Sequence, residues 1–267
     1  MEAKRIMTRI PIVMSIAGSD SGGGAGIQAD LKTIAANGAY GTTVITAVTA
    51  QNTLRVSDVK EMPIALVESQ IDAVMSDIGT DVVKTGMLFS AEMILCVSRK
   101  IKEYDITKFV LDPVMVATSG DSLLKEDAAD SIKKVLIPLC TIVTPNGPEA
   151  KKLTGIDVVD LDSARDAAIE LVNMGAAAAV VKGGHMDGPA TDVLYDGDEF
   201  RMFTTKRIDN ENTHGTGCTF ASAIACGLAS NRSLRDSVSS AKAYVTGGIR
   251  NGLNLGDGHG PLNHFHK

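Results

Sequence analysis

The sequence has no tryptophan, and aromatic residues make up only 4% of its 267 residues. A core must therefore be built from aliphatic side chains and the 11 methionines, and aromatic platforms that stack single-stranded nucleic acid are not expected. Basic residues are also scarce, since 26 lysines and arginines face 32 aspartates and glutamates, a net charge of −6. Because polyanions are bound mainly by basic side chains, we predict no nucleic-acid partner and no anionic membrane partner.

Cysteine is scarce as well, and it occurs only at Cys96, Cys140, Cys218 and Cys226. No two of these positions have the spacing of a zinc-ligand pair or of a disulfide framework, so we predict a reduced, cytoplasmic protein. No apolar run approaches the ~20 residues that a membrane span requires. Lys4 and Arg5 followed by apolar residues 10–17 resemble a secretory signal, but the run leads directly into glycines and a helical pattern. We therefore interpret it as a buried first strand.

Short β-branched runs alternate with longer helical patterns along the chain, and no interior stretch has the composition of a linker. This alternation predicts an α/β fold of three layers, α/β/α, with a central, mostly parallel sheet and helices on both faces. We predict one domain spanning residues 1–267. The predicted strands are 10–16, 42–49, 81–85, 109–112, 141–144 and 178–182. The predicted helices are 25–36, 64–76, 91–103, 127–135, 163–174 and 216–229. Residues 193–195 and 199–204 around Gly197 predict a hairpin, hence an antiparallel edge.

Polar residues cluster directly after the predicted strands. They are Asp20, Gln51, Asn52, Asp112, residues 146–149 and residues 182–185. Because ligands of open α/β sheets bind outside the carboxyl ends of the strands, this pattern predicts one site along that edge of the sheet.

Two glycine-rich segments each precede a helical pattern. Residues 18–26 match neither the phosphate-binding loop with its lysine nor the dinucleotide pattern, because Ile27 stands at the last glycine position. They predict either a ligand lying on the backbone or only a tight turn. In residues 212–220, the amides of Gly215, Thr216 and Gly217 at a helix start are suited to an anion such as a transferring phosphoryl group. The same position would lower the pKa of the Cys218 thiol, unless Cys218 is an ordinary buried cysteine.

Asn146 and Glu149 follow another predicted strand. An amide and a carboxylate there are suited to Mg²⁺ and its waters, although Asn146 could equally be a helix cap. Lys182 could reach phosphate oxygens or could be a solvated lysine. Because features typical of phosphate binding recur at several strand ends, they favour phosphoryl transfer.

The chain resembles a known family in a series of short motifs. They are residues 17–20, 23–30, 50–53, 84–87, 111–115, 144–150, 182–185 and 212–218. In order and number they resemble the hydroxymethylpyrimidine and hydroxymethylpyrimidine phosphate kinases, the thiamine-biosynthesis branch of the ribokinase superfamily. The resemblance covers essentially the whole chain and implies a ribokinase-like fold and a homodimer. It also implies that the γ-phosphoryl of ATP passes to 4-amino-5-hydroxymethyl-2-methylpyrimidine, and a second one to the resulting monophosphate.

The resemblance also implies roles for individual residues. For the pyrimidine it implies contacts with Gln51, Asp30, Gly18, Ala25, Met87 and Val114. For the nucleotide it implies Asn146, Glu149, Lys182 and Thr213, with Mg²⁺ near Asp112 and Glu149. The backbone of Gly215, Thr216 and Gly217 with Lys182 would bind the transferring phosphoryl group, and Cys218 would accept the proton of the substrate hydroxyl.

Other functions stay open at this level. Pyridoxal kinase is the nearest alternative, but a related pyridoxal-phosphorylating subgroup carries a second cysteine in the segment 115–124, where this chain has Ala117. We interpret that segment as a mobile flap. A non-catalytic binding module is disfavoured by the phosphate-type residues. His185 and His214 would contact nucleotide or make structural hydrogen bonds, and the tail histidines, His259, His264 and His266, do not predict a metal site.

Overall fold

A single nine-stranded sheet forms the centre of the computed structural model, which describes residues 9–117, 120–121, 123–125 and 128–266. The strands are β1 (Ile12–Asp20), β2 (Tyr40–Gln51), β3 (Val56–Glu61), β4 (Val82–Thr85), β5 (Phe109–Leu111), β6 (Ile142–Val143), β7 (Ala179–Val181), β8 (Ala190–Tyr195) and β9 (Phe200–Thr205). Their order across the sheet is β3-β2-β1-β4-β5-β6-β7-β8-β9. From β2 to β7 all neighbours are parallel, whereas β3, β8 and β9 pair antiparallel at the two edges.

Helices cover both faces of this sheet. They are α1 (Gly26–Ala36), α2 (Ile64–Asp77), α3 (Ala91–Glu103), α4 (Ala128–Ser131), α5 (Gly147–Thr154), α6 (Leu161–Asn173), α7 (Thr216–Ala229) and α8 (Leu234–Arg250). α4 continues as a π-helical turn, Ile132–Leu136. Two separate cores result, because successive side chains of a strand point to opposite faces. Val83 packs with α2 to α6, whereas its neighbour Val82 packs with α1, α7 and α8.

The predicted three-layer architecture is confirmed, as are the six predicted strands and the antiparallel hairpin. Three elements were missed: the edge strand β3, the short helix α5 and the long helix α8. The first strand extends further than predicted and includes Asp20, so the glycine-rich segment begins while the chain is still paired with β2. Of the helix predicted at 127–135, Asp127 lies outside the described residues. Within the described parts of the chain, no helix combines the length and the apolar character needed to cross a membrane.

The C-terminal segment packs against the last two helices. His264 Nε2 lies 3.0 Å from Thr219 Oγ1 of α7, and the Tyr244 hydroxyl of α8 donates to the His264 carbonyl oxygen at 2.8 Å. Burial lowers the pKa of His264 to about 4, so the imidazole is neutral in the folded protein at neutral pH. Among the described residues, no three His, Cys, Asp or Glu side chains are grouped to hold a metal ion. His264 and His266 pack against α7 and α8, whereas His259 is exposed.

This burial predicts a pH dependence of stability. A histidine whose pKa is lower in the folded than in the unfolded chain contributes stability above its unfolded value, 6.5, and that stability is lost as pH falls towards 4. Wild type should therefore lose about 2 kcal/mol of unfolding free energy relative to His264→Gln between pH 7 and pH 5. Urea denaturation of both proteins at the two pH values measures this difference. An unchanged difference would show that His264 is not buried in its neutral form.

Candidate active site

A cavity of about 610 Å³ opens at the carboxyl ends of the parallel strands, beside the first turn of α7. Nearly all of the residues predicted for the site line it. They are Gly18, Ala25, Gln51, Met87, Asp112, Val114, Asn146, Glu149, Lys182, Thr213, Gly215, Thr216, Gly217 and Cys218. Residues far apart in the sequence therefore meet in one cavity, because they lie near the carboxyl end of a strand or the start of a helix at the same edge of the sheet.

Asp30 is the exception, and its predicted contact with substrate is corrected. Its side chain in α1 is fully buried beneath the cavity, where Lys84 Nζ of β4 lies 2.9 and 3.0 Å from its two oxygens. The hydroxyls of Ser15 and Ser222 donate to the same carboxylate at 2.5 and 2.7 Å. Because this carboxylate is fully paired inside the protein, it is a structural anchor between β1, β4, α1 and α7 rather than a wall of the cavity.

The segment 213–218, here called the anion loop, enters α7 through a left-handed residue, Gly215, with a φ of 83°. A Cβ atom at this position would collide with the carbonyl oxygen of Gly24, so glycine is required for the close approach of the two glycine-rich segments. The first turn of a helix has amides without partners inside the helix, and the cavity lies against these residues. The Thr216 amide already donates to the Thr213 carbonyl oxygen at 3.2 Å, so the anion loop offers the amides of Gly215, Gly217 and Cys218 and the positive end of a 14-residue helix to an anion.

Cys218 lies on the first turn of α7 and lines the cavity, but its predicted acidity is wrong. Burial raises the pKa of the thiol to about 12, against the opposing effects of Lys84 and of a hydrogen bond from the Gly26 amide. The helix N-terminus contributes only about 0.3 to 1 kcal/mol, which is less than the cost of placing a thiolate in a poorly hydrated site. The ligand-free protein therefore holds Cys218 as a thiol.

Lys182 follows β7 and points at the anion loop. Its Nζ lies 3.5 Å from Asp112 Oδ1 and 3.8 Å from Glu149 Oε2, and it would lie 3.3 Å from a Cβ atom on Gly217. Although burial disfavours the charged form, the two carboxylates raise the pKa of Lys182. It is therefore a fixed cation inside the site rather than a solvated lysine.

Asn146 and Glu149 form a reciprocal cap at the start of α5. The Asn146 side chain accepts from the Glu149 amide at 2.9 Å, and the Asn146 amide donates to Glu149 Oε2 at 2.8 Å. Helix capping, one of the two interpretations of Asn146, is thus confirmed, and it also fixes the direction of the carboxylate. Burial raises the pKa of Glu149 to about 7, although Lys182 opposes the shift.

One carboxylate oxygen of the neighbouring Asp112 is free to bind a cation. Its side chain is buried, and among the described residues its Oδ2 has no hydrogen-bond partner. This oxygen has only the Lys84 ammonium nearby, at 3.9 Å, which is too far for a hydrogen bond. A buried carboxylate oxygen of this kind, close to the carboxylate of Glu149, fits a hard cation that keeps much of its water shell and takes few protein ligands. This donor set fits Mg²⁺ together with the phosphate oxygens of a nucleotide.

The opposite wall of the cavity is organised by Asp20, which the sequence did not single out for this purpose. Its carboxylate accepts from the amides of Gly22, Gly24 and Ala25 at 2.8 to 2.9 Å and lies 3.0 Å from His214 Nε2. Although burial favours the neutral form, these bonds, led by that of His214, lower the pKa of Asp20. The glycine-rich segment after β1 is therefore both a tight turn and part of the cavity wall, with its shape set by one carboxylate.

Gln51 extends this network at the end of β2. Its Oε1 accepts from the Thr49 hydroxyl at 3.1 Å, and its Nε2 lies 3.4 Å from His214 Nε2. His214 thus makes a structural hydrogen bond, to Asp20, which was one of its two interpretations. His185 also lines the cavity, and burial together with the charges of Lys182 and Arg207 lowers its pKa. The amide of Gln51 faces the cavity beside Met87 and Val114, which supply apolar surface.

The far end of the cavity contains residues that sequence reasoning missed. Phe220 of α7 and Val245 and Ile249 of α8 form an apolar wall, and Lys152 and Arg207 add positive charge. Val245 and Ile249 are four residues apart, a spacing that puts two apolar side chains on one face of a helix. This spacing could have predicted the apolar wall only if the helix α8 had been predicted from the sequence. Of the predicted flap, Met115, Val116, Ala117 and Leu123 line the cavity, whereas Ser119 lies outside the described residues.

Known proteins resemble this chain over nearly its full length. The family model described as phosphomethylpyrimidine kinase matches residues 20–263. A hydroxymethylpyrimidine/phosphomethylpyrimidine kinase of Bacillus subtilis is 47% identical over 94% of both chains. A bifunctional thiamine biosynthesis protein of Geobacter sulfurreducens is 53% identical over 95% of this chain, which spans only 52% of that longer protein.

Solved structures of kinases are also similar to this chain in fold. A pyridoxal kinase of Bacillus subtilis in complex with ADP superposes with a TM-score of 0.90 at 34% identity, covering 96% of this chain and 98% of that one. A phosphomethylpyrimidine kinase of Clostridium difficile gives a TM-score of 0.79 at 42% identity, with coverages of 89% and 98%. On the family match and on the identity to full-length relatives, the chain belongs to the phosphomethylpyrimidine kinase family.

Proposed function

We propose that this protein transfers the γ-phosphoryl group of ATP to 4-amino-5-hydroxymethyl-2-methylpyrimidine and then transfers a second one to the monophosphate formed. The observation that carries the proposal is the joint placement of Gln51, Lys182 and the anion loop around one cavity. One wall offers hydrogen bonds suited to a neutral heterocycle, and the other offers amides and cations suited to phosphates. The kinase names of relatives such as those of Bacillus subtilis and Streptomyces coelicolor, and the nucleotide complexes of the structural neighbours, support the same assignment.

Gln51 is proposed to recognise the aminopyrimidine edge. A primary amide both donates and accepts, which matches a ring nitrogen next to an exocyclic amine, whereas a carboxylate only accepts. The Thr49 hydroxyl, which donates to Gln51 Oε1, restricts the rotation of the amide, so it is oriented before substrate binds. Met87 and Val114 would contact the ring, and Gly18 leaves room because a Cβ there would lie 3.1 Å from Met87 Cε.

The phosphoryl step is proposed to depend on positioning and on neutralisation of charge. The substrate oxygen forms a bond to the γ-phosphorus while the bond from that phosphorus to the β,γ-bridging oxygen breaks, and ADP leaves with that oxygen. The anion loop would donate amides to the equatorial oxygens of the transferring group, and Lys182 would hold the phosphates from the side. Asp112 and Glu149 would hold Mg²⁺, which when bound neutralises charge on the phosphate oxygens.

Cys218 is proposed to accept the proton of the substrate hydroxyl. It is the last residue of the anion loop and lines the cavity there, where the reacting oxygen must approach. Because the free protein holds a thiol there, this role requires positive charge near the sulfur to make the thiolate accessible.

Pyridoxal is the second candidate substrate, since several structural neighbours with TM-scores near 0.90 are pyridoxal kinases. Ala117 lies on the cavity where that activity would place a second cysteine, which favours the pyrimidine.

A single kinase domain over residues 1–267 and a homodimer are proposed on the family resemblance. The single sheet supports the proposal of one domain.

A substrate panel tests the assignment directly. ADP formation measured with the pyrimidine alcohol, its monophosphate, pyridoxal and ribose should give the highest kcat/KM for the first two. Because Gln51 and Met87, which line the cavity, are proposed to hold a planar neutral ring, ribose should give no activity above background. A preference for pyridoxal would replace the proposed substrate, and activity with none of the four would refute the kinase assignment.

Gln51→Glu should weaken recognition of the pyrimidine selectively. The change removes the amide donor and adds a negative charge, so KM for the pyrimidine alcohol should rise about tenfold or more, whereas KM for ATP should stay within about twofold. Gln70→Glu is the matched control, because it makes the same change in an amide that accepts from the Ile45 amide and donates to the Ile45 carbonyl oxygen and does not line the cavity. It should leave KM for the pyrimidine unchanged. Equal KM values for the pyrimidine in wild type and Gln51→Glu would remove Gln51 from the binding site.

Cys218→Ala should lower kcat by about 100-fold or more, the range for loss of a proton acceptor, without abolishing binding of the pyrimidine. Isothermal titration with the pyrimidine alcohol separates binding from turnover. Cys226→Ala is the control, because Cys226 is buried two turns further along the same helix and does not line the cavity. If the Cys218 variant keeps a kcat within threefold of wild type, Cys218 is not the proton acceptor.

A further inference from the structure

A fully buried lysine stands in the middle of the sheet. Lys84 belongs to β4, whose four residues are all buried, and it does not line the cavity. Lysine is rarely buried completely, because its ammonium loses its hydration and must be compensated by partners. None of the roles assigned so far requires a cation at this position.

The partners of Lys84 fix its ammonium in one place. Both oxygens of Asp30 lie within 3.0 Å of Nζ, and Asp112 Oδ2 lies 3.9 Å away. Although burial disfavours the ammonium, the Asp30 carboxylate raises the pKa of Lys84, which favours the charged form. Lys84 is therefore a fixed positive charge rather than a proton carrier.

This charge lies beneath the start of α7. Ser222, whose hydroxyl donates to Asp30, stands four residues after Cys218 in the same helix. Residues four apart in a helix share a face and are separated by one turn, so the Lys84–Asp30 pair lies under the face that carries Cys218. Burial raises the pKa of the Cys218 thiol, and the positive charge of Lys84 is the largest effect that lowers it.

A buried ion pair is weak evidence for a purely structural role. Replacing such a pair by apolar residues of similar volume is often neutral or stabilising, so its cost is not explained by the fold alone. Lys182 cannot supply the same charge during the reaction, because it lies in the cavity and would be neutralised by the phosphates it meets. Lys84 has no access to the phosphates, since its side chain is fully buried.

We propose that Lys84 is a positioning residue for phosphoryl transfer, whose fixed ammonium, anchored by Asp30 and Ser222, stabilises negative charge on the Cys218 sulfur. The inference rests on the proposed function, in which Cys218 accepts the substrate proton. Before that step the Cys218 thiol releases its proton to water. The hydroxyl proton then moves to the thiolate, the oxygen electron pair forms the new bond to the γ-phosphorus, and the bond from that phosphorus to the β,γ-bridging oxygen breaks as ADP departs. Lys84 exchanges no atom, and it acts by favouring the thiolate that begins the step.

Four charged groups act on the Cys218 sulfur, and their signs make the proposal testable. Lys84 of β4 and Lys182 after β7 favour the thiolate, whereas Asp30 of α1 and Asp112 after β5 disfavour it. Removing Lys84 and removing the charge of Asp30 should therefore shift the reactivity of the sulfur in opposite directions. A merely structural pair would give shifts in the same direction, because either change would loosen the same contact.

The experiment is the rate of Cys218 alkylation by iodoacetamide between pH 6 and pH 10, followed by mass spectrometry of the Cys218 peptide. The variants are Asp30→Asn, Lys84→Met and the double variant, which contains no unpaired buried charge. Asp30→Asn should react faster than wild type at pH 8. Adding Lys84→Met to Asp30→Asn should slow the reaction about tenfold or more, the effect of one pKa unit on the thiolate fraction.

Lys100→Met is the matched control. Lys100 is another buried lysine, paired with Asp72 at 2.7 Å and with Glu103 at 3.0 Å on α3, away from the cavity. Its variant should alkylate at the wild-type rate. Kinase assays of the same proteins should show a lower kcat without Lys84, with KM for ATP within about twofold of wild type.

Equal alkylation rates for Asp30→Asn and the double variant would overturn the proposal, even if Lys84→Met alone fails to fold. Slowing in both Asp30→Asn and the double variant would overturn it too, because it would indicate a structural pair only. Alkylation does not require turnover, so a wild-type protein inactive on the pyrimidine would refute the proposed function while leaving the effect of Lys84 on Cys218 measurable.

Discussion

Two lysines and three carboxylates are buried in one small region, between the carboxyl ends of β4, β5 and β7 and the first turn of α7. Lys84 pairs with Asp30 beneath the cavity, and Lys182 lies between Asp112 and Glu149 at its floor. Each of these charges loses hydration on folding and is tolerable only where an opposite charge is fixed nearby. The strands and helices must therefore be placed accurately for the fold to be stable at all, and the same accuracy orients the groups around the cavity.

The hydrogen-bond network around Asp20, on the opposite wall of the cavity, also depends on accurate placement of distant segments. The Asp20 carboxylate accepts hydrogen bonds from three amides of the glycine-rich segment and contacts His214 of the anion loop, so the two walls of the cavity are joined through one carboxylate. Glycine is required where these segments touch, because a side chain at Gly24 would collide with His214. Two ligands bound on opposite walls would thus be brought to a fixed separation, which is what transfer between them requires.

The sequence was sufficient for the central architecture, because buried parallel strands and amphipathic helices have strong periodic patterns. The edge strand β3 was missed since its exposed, charged residues do not alternate clearly, and α8 was missed because its serines and glycines hide apolar residues at helical spacing. The pairing of Asp30 with Lys84 joins residues 54 positions apart, which no local pattern predicts. The pKa of Cys218 depends on the balance between burial, which raises it, and the helix dipole, which lowers it. Only the packed structure gives the degree of burial.

The central claim is that one cavity brings the hydroxymethyl group of the pyrimidine to a phosphoryl group bound by the anion loop. A crystal structure with the pyrimidine alcohol and a non-hydrolysable ATP analogue tests it most directly. The account predicts the γ-phosphate within hydrogen-bond distance of the amides of Gly215 to Cys218, with the substrate hydroxyl between that phosphate and the Cys218 sulfur. A nucleotide bound elsewhere, or a pyrimidine whose hydroxyl points away from Cys218, would contradict it.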